Sequence, residues 1–198
     1  MNDRGSTPLP PPLDDSLRQL RAVRDDFEAL VDGLDDSAFN WAPHDRSWSI
    51  GQCLDHLARV DRPYRRRIER AIETAVARGD RGHRTASGAT RWSLAERLFI
   101  AWMEPPPRLR LPAPPAVVPP SELEADAVCA AFRDESERLQ RALHEARALD
   151  LRRLKIRSPL FPLLRLAVGA SFDLLAAHGR RHLWQAWGVR RHDAFPSA

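Results

Sequence analysis

Apolar residues recurring at helical spacing, in long runs separated by proline, constrain this chain more than any other feature. Leu17, Leu20, Phe27, Leu30, Val31 and Leu34 share one face of a helix expected over 14–34. A second face runs through Leu54, Leu57, Val60, Tyr64, Ile68, Ala71 and Ile72. Ser49 and Gln52 open it as a capping box, each side chain taking the other residue's backbone N–H. Pro63 falls inside this run and should bend the helix rather than end it, because it removes one backbone donor and crowds the preceding turn. Val128, Ala131, Phe132, Leu139, Ala142, Leu143 and Ala146 mark a third helix, with Ser121 and Glu124 as its expected capping box. A fourth is expected from Leu164 to Trp187, stopped by Gly188. No clear strand alternation intervenes. Four long helices in 198 residues, 43% of them hydrophobic, predict a single all-α domain, a four-helix bundle over 13–190 with tails at 1–12 and 191–198.

The connection between the second and third helices is long and unlike the rest. Residues 79–120 are rich in Gly, Arg and Pro, apart from one short helix predicted at Ser93–Met103. Ser93 and Glu96 form its capping box, and Pro105, Pro106 and Pro107 must end it. Residues 108–120 read as extended, polyproline-like chain.

Composition excludes several function classes. The 31 basic and 27 acidic residues are interspersed, so a net charge of +4 describes a mixed solvated surface and not a nucleic-acid footprint. Lys155 is the only lysine, and arginine carries all the other basic charge. Cys53 and Cys129 lie far apart without a CxxC pattern, so neither a disulfide framework nor a cysteine-built zinc site is expected. Residues 1–15 carry prolines and acids where a secretory leader needs a cationic start and an apolar stretch. Residues 159–177 are apolar but interrupted by Arg165 and Asp173, too mixed for a membrane span. A cytoplasmic address without nucleic-acid or membrane partners is the expectation.

The chemistry concentrates in three histidines. His178 and His182 stand at i and i+4, where about 5–6 Å separates Cβ atoms on one helix face, so two imidazoles can converge on one divalent ion. His56, on the second helix, can supply a third from a facing element, as bundle cores allow. The ordinary alternative is three unrelated packing or surface histidines. His44, His83, His144 and His192 sit in expected loops, a polar helix portion or the C-terminal tail, and read as exposed and unliganded.

These residues carry a family resemblance. Trp48-Ser49-Ile50-Gly51-Gln52, then Leu54-Asp55-His56-Leu57, and later His178-Gly-Arg-Arg-His182-Leu183-Trp184-Gln185-Ala186 resemble the DinB/YfiT superfamily, over most of the chain from the first helix to about Trp187. The resemblance implies an up-down-down-up four-helix bundle with a variable crossover. It also implies a divalent metal, zinc or nickel with iron suited to the same ligands, held by His56, His178 and His182. YfiT-like members are described as metal-dependent hydrolases, whereas others resemble thiol-dependent transferases or isomerases working with low-molecular-weight thiols. The resemblance therefore implies a small-molecule substrate and leaves room for a homodimer.

A zincin peptidase shares HxxxH but needs a glutamate directly after the first histidine, and that position is Gly179. Asp55 and Asp173 are the nearest carboxylates in sequence, better read as surface or supporting residues than as catalytic ones. Cys53, three residues before His56, is read as buried filler before a fourth ligand or reactive thiol. Arg180 and Arg181 could hold a substrate carboxylate or phosphate, with a solvated face the favoured reading for Arg180. Trp48, Trp92, Trp102, Trp184 and Trp187 read as packing residues, and no catalytic residue is assigned. Two functions follow: an enzyme whose metal activates a thiol or water, or a non-catalytic bundle whose metal site is structural or vestigial and which serves stress response or protein interaction.

Overall fold

A computed structural model describes residues 9, 11–80, 92–107 and 112–196. The helices are α1 (Pro11–Val31), α2 (Asp36–Asn40), α3 (Ile50–Ala77), α4 (Leu94–Met103), α5 (Ala125–Glu145) and α6 (Val168–Arg190). A two-stranded antiparallel hairpin joins β1 (Lys155–Arg157) to β2 (Arg165–Ala167), with Ile156 opposite Leu166. The expected loose tail at 1–12, the segment around His83 and part of the crossover fall largely outside the described residues, although α1 already begins at Pro11. At the other end, Phe195 packs edge-on against Trp41, so the described part of the C-terminal segment is fastened to the bundle.

Side-chain contacts fix the helix directions. Ser16 meets Asp173 and Trp187 meets Asp26, so α1 and α6 run parallel. Arg133 pairs with Glu28 and Arg24 with Glu137, so α5 opposes α1. Gln52 reaches Pro120 just before α5, whereas Arg65 reaches Glu135 well inside it, so α3 runs with α5. The result is the up-down-down-up order, with the long crossover joining the two parallel helices α3 and α5.

Local chemistry explains where these elements begin and end. The Ser49–Gln52 box forms as predicted, at 3.1 and 3.0 Å, and α3 continues unbroken through Pro63. Gly33, at φ +70°, takes the left-handed backbone that closes α1. The Ser93–Glu96 box also forms, and Glu96 does more than cap α4: its Oε1 accepts from Ala167 N at 2.7 Å and Lys155 Nζ at 3.1 Å. Burial would raise the Glu96 pKa, but hydrogen bonds from Ala167, Ser93 and Lys155 outweigh it and hold it at about 2.

Three expectations are corrected. The Ser121–Glu124 box does not form: α5 starts at Ala125 with Glu124 as an N-cap lacking a side-chain bond. Asn40 instead grips Leu123 by its N–H and C=O, at 3.1 and 2.9 Å, and Gln52 holds Pro120, which ties down the approach to α5. The fourth long helix begins at Val168 rather than Leu164, because 165–167 pair with 155–157 in strands too short to show an alternation. It also runs past Gly188 to Arg190, where the Arg190 guanidinium bonds carbonyls at the end of α1.

Among the described residues the apolar interior has, beside a small part at Trp92, Ala167 and Ala170, two large ones. One gathers Leu20, Val60, Tyr64, Ile68, Leu139, Phe172 and Leu175; the other gathers Phe27, Phe39, Leu54, Leu57, Phe132 and Leu183. At the level where they meet, α3 carries His56 and Asp61 on different sides, α5 carries Glu135, and α6 carries His178. A polar layer thus crosses the middle of the bundle.

Candidate metal centre

Position within α3 determines what His56 can do. The capping box fixes the first turn of the helix, and Gly51 admits the Phe39 ring where a Cβ would collide, which locks α2 against that turn. His56 follows one turn later and is buried at 4% exposure. Its Nδ1 lies 2.8 Å from the Val117 carbonyl. A carbonyl only accepts, so Nδ1 carries the proton and donates, leaving the Nε2 lone pair available.

α6 supplies the other two rings. Its residues from Val168 to Gly179 are all buried, making it the most enclosed of the long helices. The ring centroids of His178 and His182 are 4.6 Å apart, and His56 lies 5.2 Å from the first and 4.6 Å from the second. One donor atom from each of the three lies within 4.8 Å of the others, the sole such group of potential ligands among the described residues. The buried Nδ1 atoms of His178 and His182 have no hydrogen-bonding partner among the described residues.

Burial keeps the cluster uncharged. It lowers the His178 pKa to about 3, helped by His56 and Arg181, and drives His182 well below the imidazole range, helped by His178, His56 and Arg181. Burial also lowers His56, with the Val117 carbonyl and Asp55 pulling the other way. Three neutral imidazoles at neutral pH are the protonation state a divalent ion requires. A neutral imidazole offers one lone pair, which such an ion can take up, and the backbone partner of His56 is the orienting contact that metal-bound histidines commonly make. The residues fit the ion.

Neighbouring residues narrow the chemistry. A Cβ at Gly179 would lie 2.7 Å from Val23 Cγ1, so this position packs against α1 and could not carry a zincin glutamate without displacing the Val23 side chain. Asp55 pairs with Arg59. Asp173, expected at the surface or in support, is buried and accepts from Ser16 Oγ at 2.6 Å and Trp92 Nε1 at 2.5 Å. Cys53 is fully buried, and burial pushes its thiol well up, which removes it as a thiolate. Arg180 corrects the solvated-face reading: it is half-buried and bonds Glu104 and Gln19. Arg181 lies over the Trp102 ring, 5.7 Å from its centroid. Trp92 and Trp187 are packing residues whose indole N–H groups are satisfied by Asp173 and Asp26. Trp184 differs, being 49% exposed.

The three histidines expected to converge do lie together, but two of their neighbours were not expected. Trp48 does more than pack: its ring stacks 5.7 Å from His182 and lies 4.9 Å from His56, covering one side of the cluster. Its place directly before the capping box was the available signal. The Val117 carbonyl left none, because a backbone acceptor has no residue signature and sits in the proline-rich crossover.

The DinB superfamily, compared as a family model, matches residues 19–186, which include all three histidines. No curated protein and no solved structure matches the chain. Among the described residues, no helix is long and apolar enough to cross a membrane.

Proposed function

This chain belongs to the DinB superfamily, and we propose that it is a metal-dependent enzyme in which His56, His178 and His182 hold one divalent ion. The observation that supports this most is the convergence of three buried, neutral imidazoles from α3 and α6, two of them with unpartnered ring nitrogens. Zinc or nickel suits three imidazoles, and iron is compatible with the same set. When bound, such an ion supplies Lewis acidity that makes a water or a thiol a usable nucleophile near neutral pH.

The chain's own residues prepare that chemistry. Val117 fixes the His56 tautomer, burial keeps the other two rings deprotonated, and Trp48 shields one side. Among the described residues no carboxylate joins the three rings. A reaction needing a protein general base beside the ion, as in zincin peptidases, is therefore disfavoured relative to one whose nucleophile needs only to lose its own proton. A low-molecular-weight thiol meets that condition with its ordinary pKa near 8.5, which makes thiol-dependent transfer the leading reaction and hydrolysis the second.

The test is a panel of small thiols combined with electrophiles, run beside ester and amide substrates on metal-loaded protein. Thiol-dependent, chelator-sensitive turnover is expected. Chelator-sensitive hydrolysis without a thiol would instead assign the hydrolase. No turnover, with a thermal midpoint that drops on chelation, would leave the ion as a brace between α3 and α6 and overturn the enzymatic reading.

A further inference from the structure

Away from the histidine cluster, a groove of about 380 Å³ opens between the last turns of α3 and the hairpin. Arg67, Arg70 and Arg78 come from α3 or its C-cap, Lys155 and Arg157 from β1, and Asp80 is the one acid in its lining. Arg70 lies fourteen residues after His56 on the same helix, about 21 Å along its axis, so this is a separate site.

Elsewhere among the described residues several cations pair with acids. Arg62 and Arg65 pair with Glu135, Arg133 with Glu28, and Arg180 with Glu104. The groove gathers five cations around one lining acid. Arg67 Nη1 donates to the carbonyls of Arg157 and Ser158, at 2.8 and 3.1 Å, which fastens the hairpin to α3 but neutralises no charge. Lys155 pairs with Glu96 at 3.1 Å. Arg70, Arg78 and Arg157 have no ion pair or side-chain hydrogen bond among the described residues. Five cations thus face Asp80 and, through Lys155, Glu96, which leaves three positive charges unmatched. The negative end of the α3 dipole can favour Arg78 at the cap, but it acts within the last turn and accounts for neither Arg70 nor Arg157.

The geometry points to a binding site for a small diphosphate-bearing molecule. Guanidinium groups match phosphate oxygens in two-pronged fashion, and a concave surface of one sign concentrates anions of high charge over singly charged ones. Ala71, Ala75 and Ile156 form an apolar floor, and the volume falls in the range of small-ligand sites, so the groove can seat an organic group beside the phosphates.

The test is calorimetric titration of the full, metal-free chain at physiological salt, with inorganic pyrophosphate in one arm and ADP in the other. Saturable binding near one equivalent is expected. Arg78→Gln with Arg157→Gln should weaken it tenfold or more, and Arg70→Gln alone at least threefold. Arg18→Gln with Arg138→Gln removes the same charge from exposed positions on α1 and α5 and should leave it unchanged. Tighter binding of ADP would name an organic diphosphate, and equal binding the inorganic anion. Absence of saturable binding to either probe, or equal weakening by the Arg18/Arg138 control, would overturn the proposal, with circular dichroism verifying that each variant is folded.

Discussion

Helix α3 meets its two neighbours in opposite ways. Toward α5 it offers Arg62 and Arg65, which bond Glu135 at 2.9 and 2.6 Å, while Arg65 also reaches Glu69 at 2.5 Å. Toward α6 it offers His56, which joins two rings whose buried Nδ1 atoms have no partner among the described residues. A buried polar group left unsatisfied costs about 1–3 kcal/mol. The α5 side is thus tied by paired charges, whereas the α6 side carries buried ring nitrogens that a ligand could satisfy. Asp61 tests the contrast, since its Oδ1 is buried and unpartnered on the α5 side. Burial and the adjacent Glu135 raise its pKa well above the carboxylate range, so Asp61 is held as the neutral acid and adds no charge to the paired network.

The sharpest way to break this comparison is to remove the acid shared on the α5 side. Glu135→Ala takes from Arg62 its partner and leaves Arg65, only 8% exposed, with Glu69 alone, and should cost about 3 kcal/mol in urea denaturation; a loss below about 1 kcal/mol would mean that the pairing is not structural.

Acidification should strike the α6 side in metal-free protein. The folded His178 pKa of about 3 lies below the unfolded value near 6.5, so between these limits the unfolded chain holds more protons. Stability is therefore fully present above about pH 6.5 and declines as pH falls toward 3. His178 alone should remove about 2 kcal/mol between pH 7 and pH 5, read by denaturation at the two pH values; an unchanged midpoint would mean that the ring is solvated.

Smaller effects refine the picture. Ser49→Ala removes the capping box that positions the turn before His56, and should cost about 1 kcal/mol while weakening metal affinity more than a cap lost elsewhere would. Asp61→Asn replaces a neutral acid by a neutral amide of the same shape and should shift stability by less than about 1 kcal/mol. A loss of about 3 kcal/mol or more would show Asp61 to be a charged member of the network.

The parts legible in the sequence were those written in side-chain spacing. Four apolar stripes, the boxes at Ser49 and Ser93 and the i, i+4 pair of His178 and His182 all have periods that survive without coordinates. What escaped was decided by the backbone or by partners distant in sequence. The hairpin is three residues per strand, the start of α5 depends on Asn40 more than eighty residues earlier, and the orienting contact of His56 is the Val117 carbonyl. Asp173 is a further case: its aspartate is visible, but Ser16 and Trp92, which bury it in a network, come from α1 and the crossover. Trp48 had its signal in the residues beside it and was read too narrowly as packing.

If the three buried imidazoles of α3 and α6 share one ion, metal content measures it most directly. Protein purified without an affinity tag, analysed for bound elements beside His56→Ala and a His178→Ala, His182→Ala double variant, should carry close to one divalent ion per chain. Both variants should carry almost none while remaining folded. Undiminished metal in either folded variant, or a wild type that stays metal-free after exposure to zinc, nickel and iron, would contradict it.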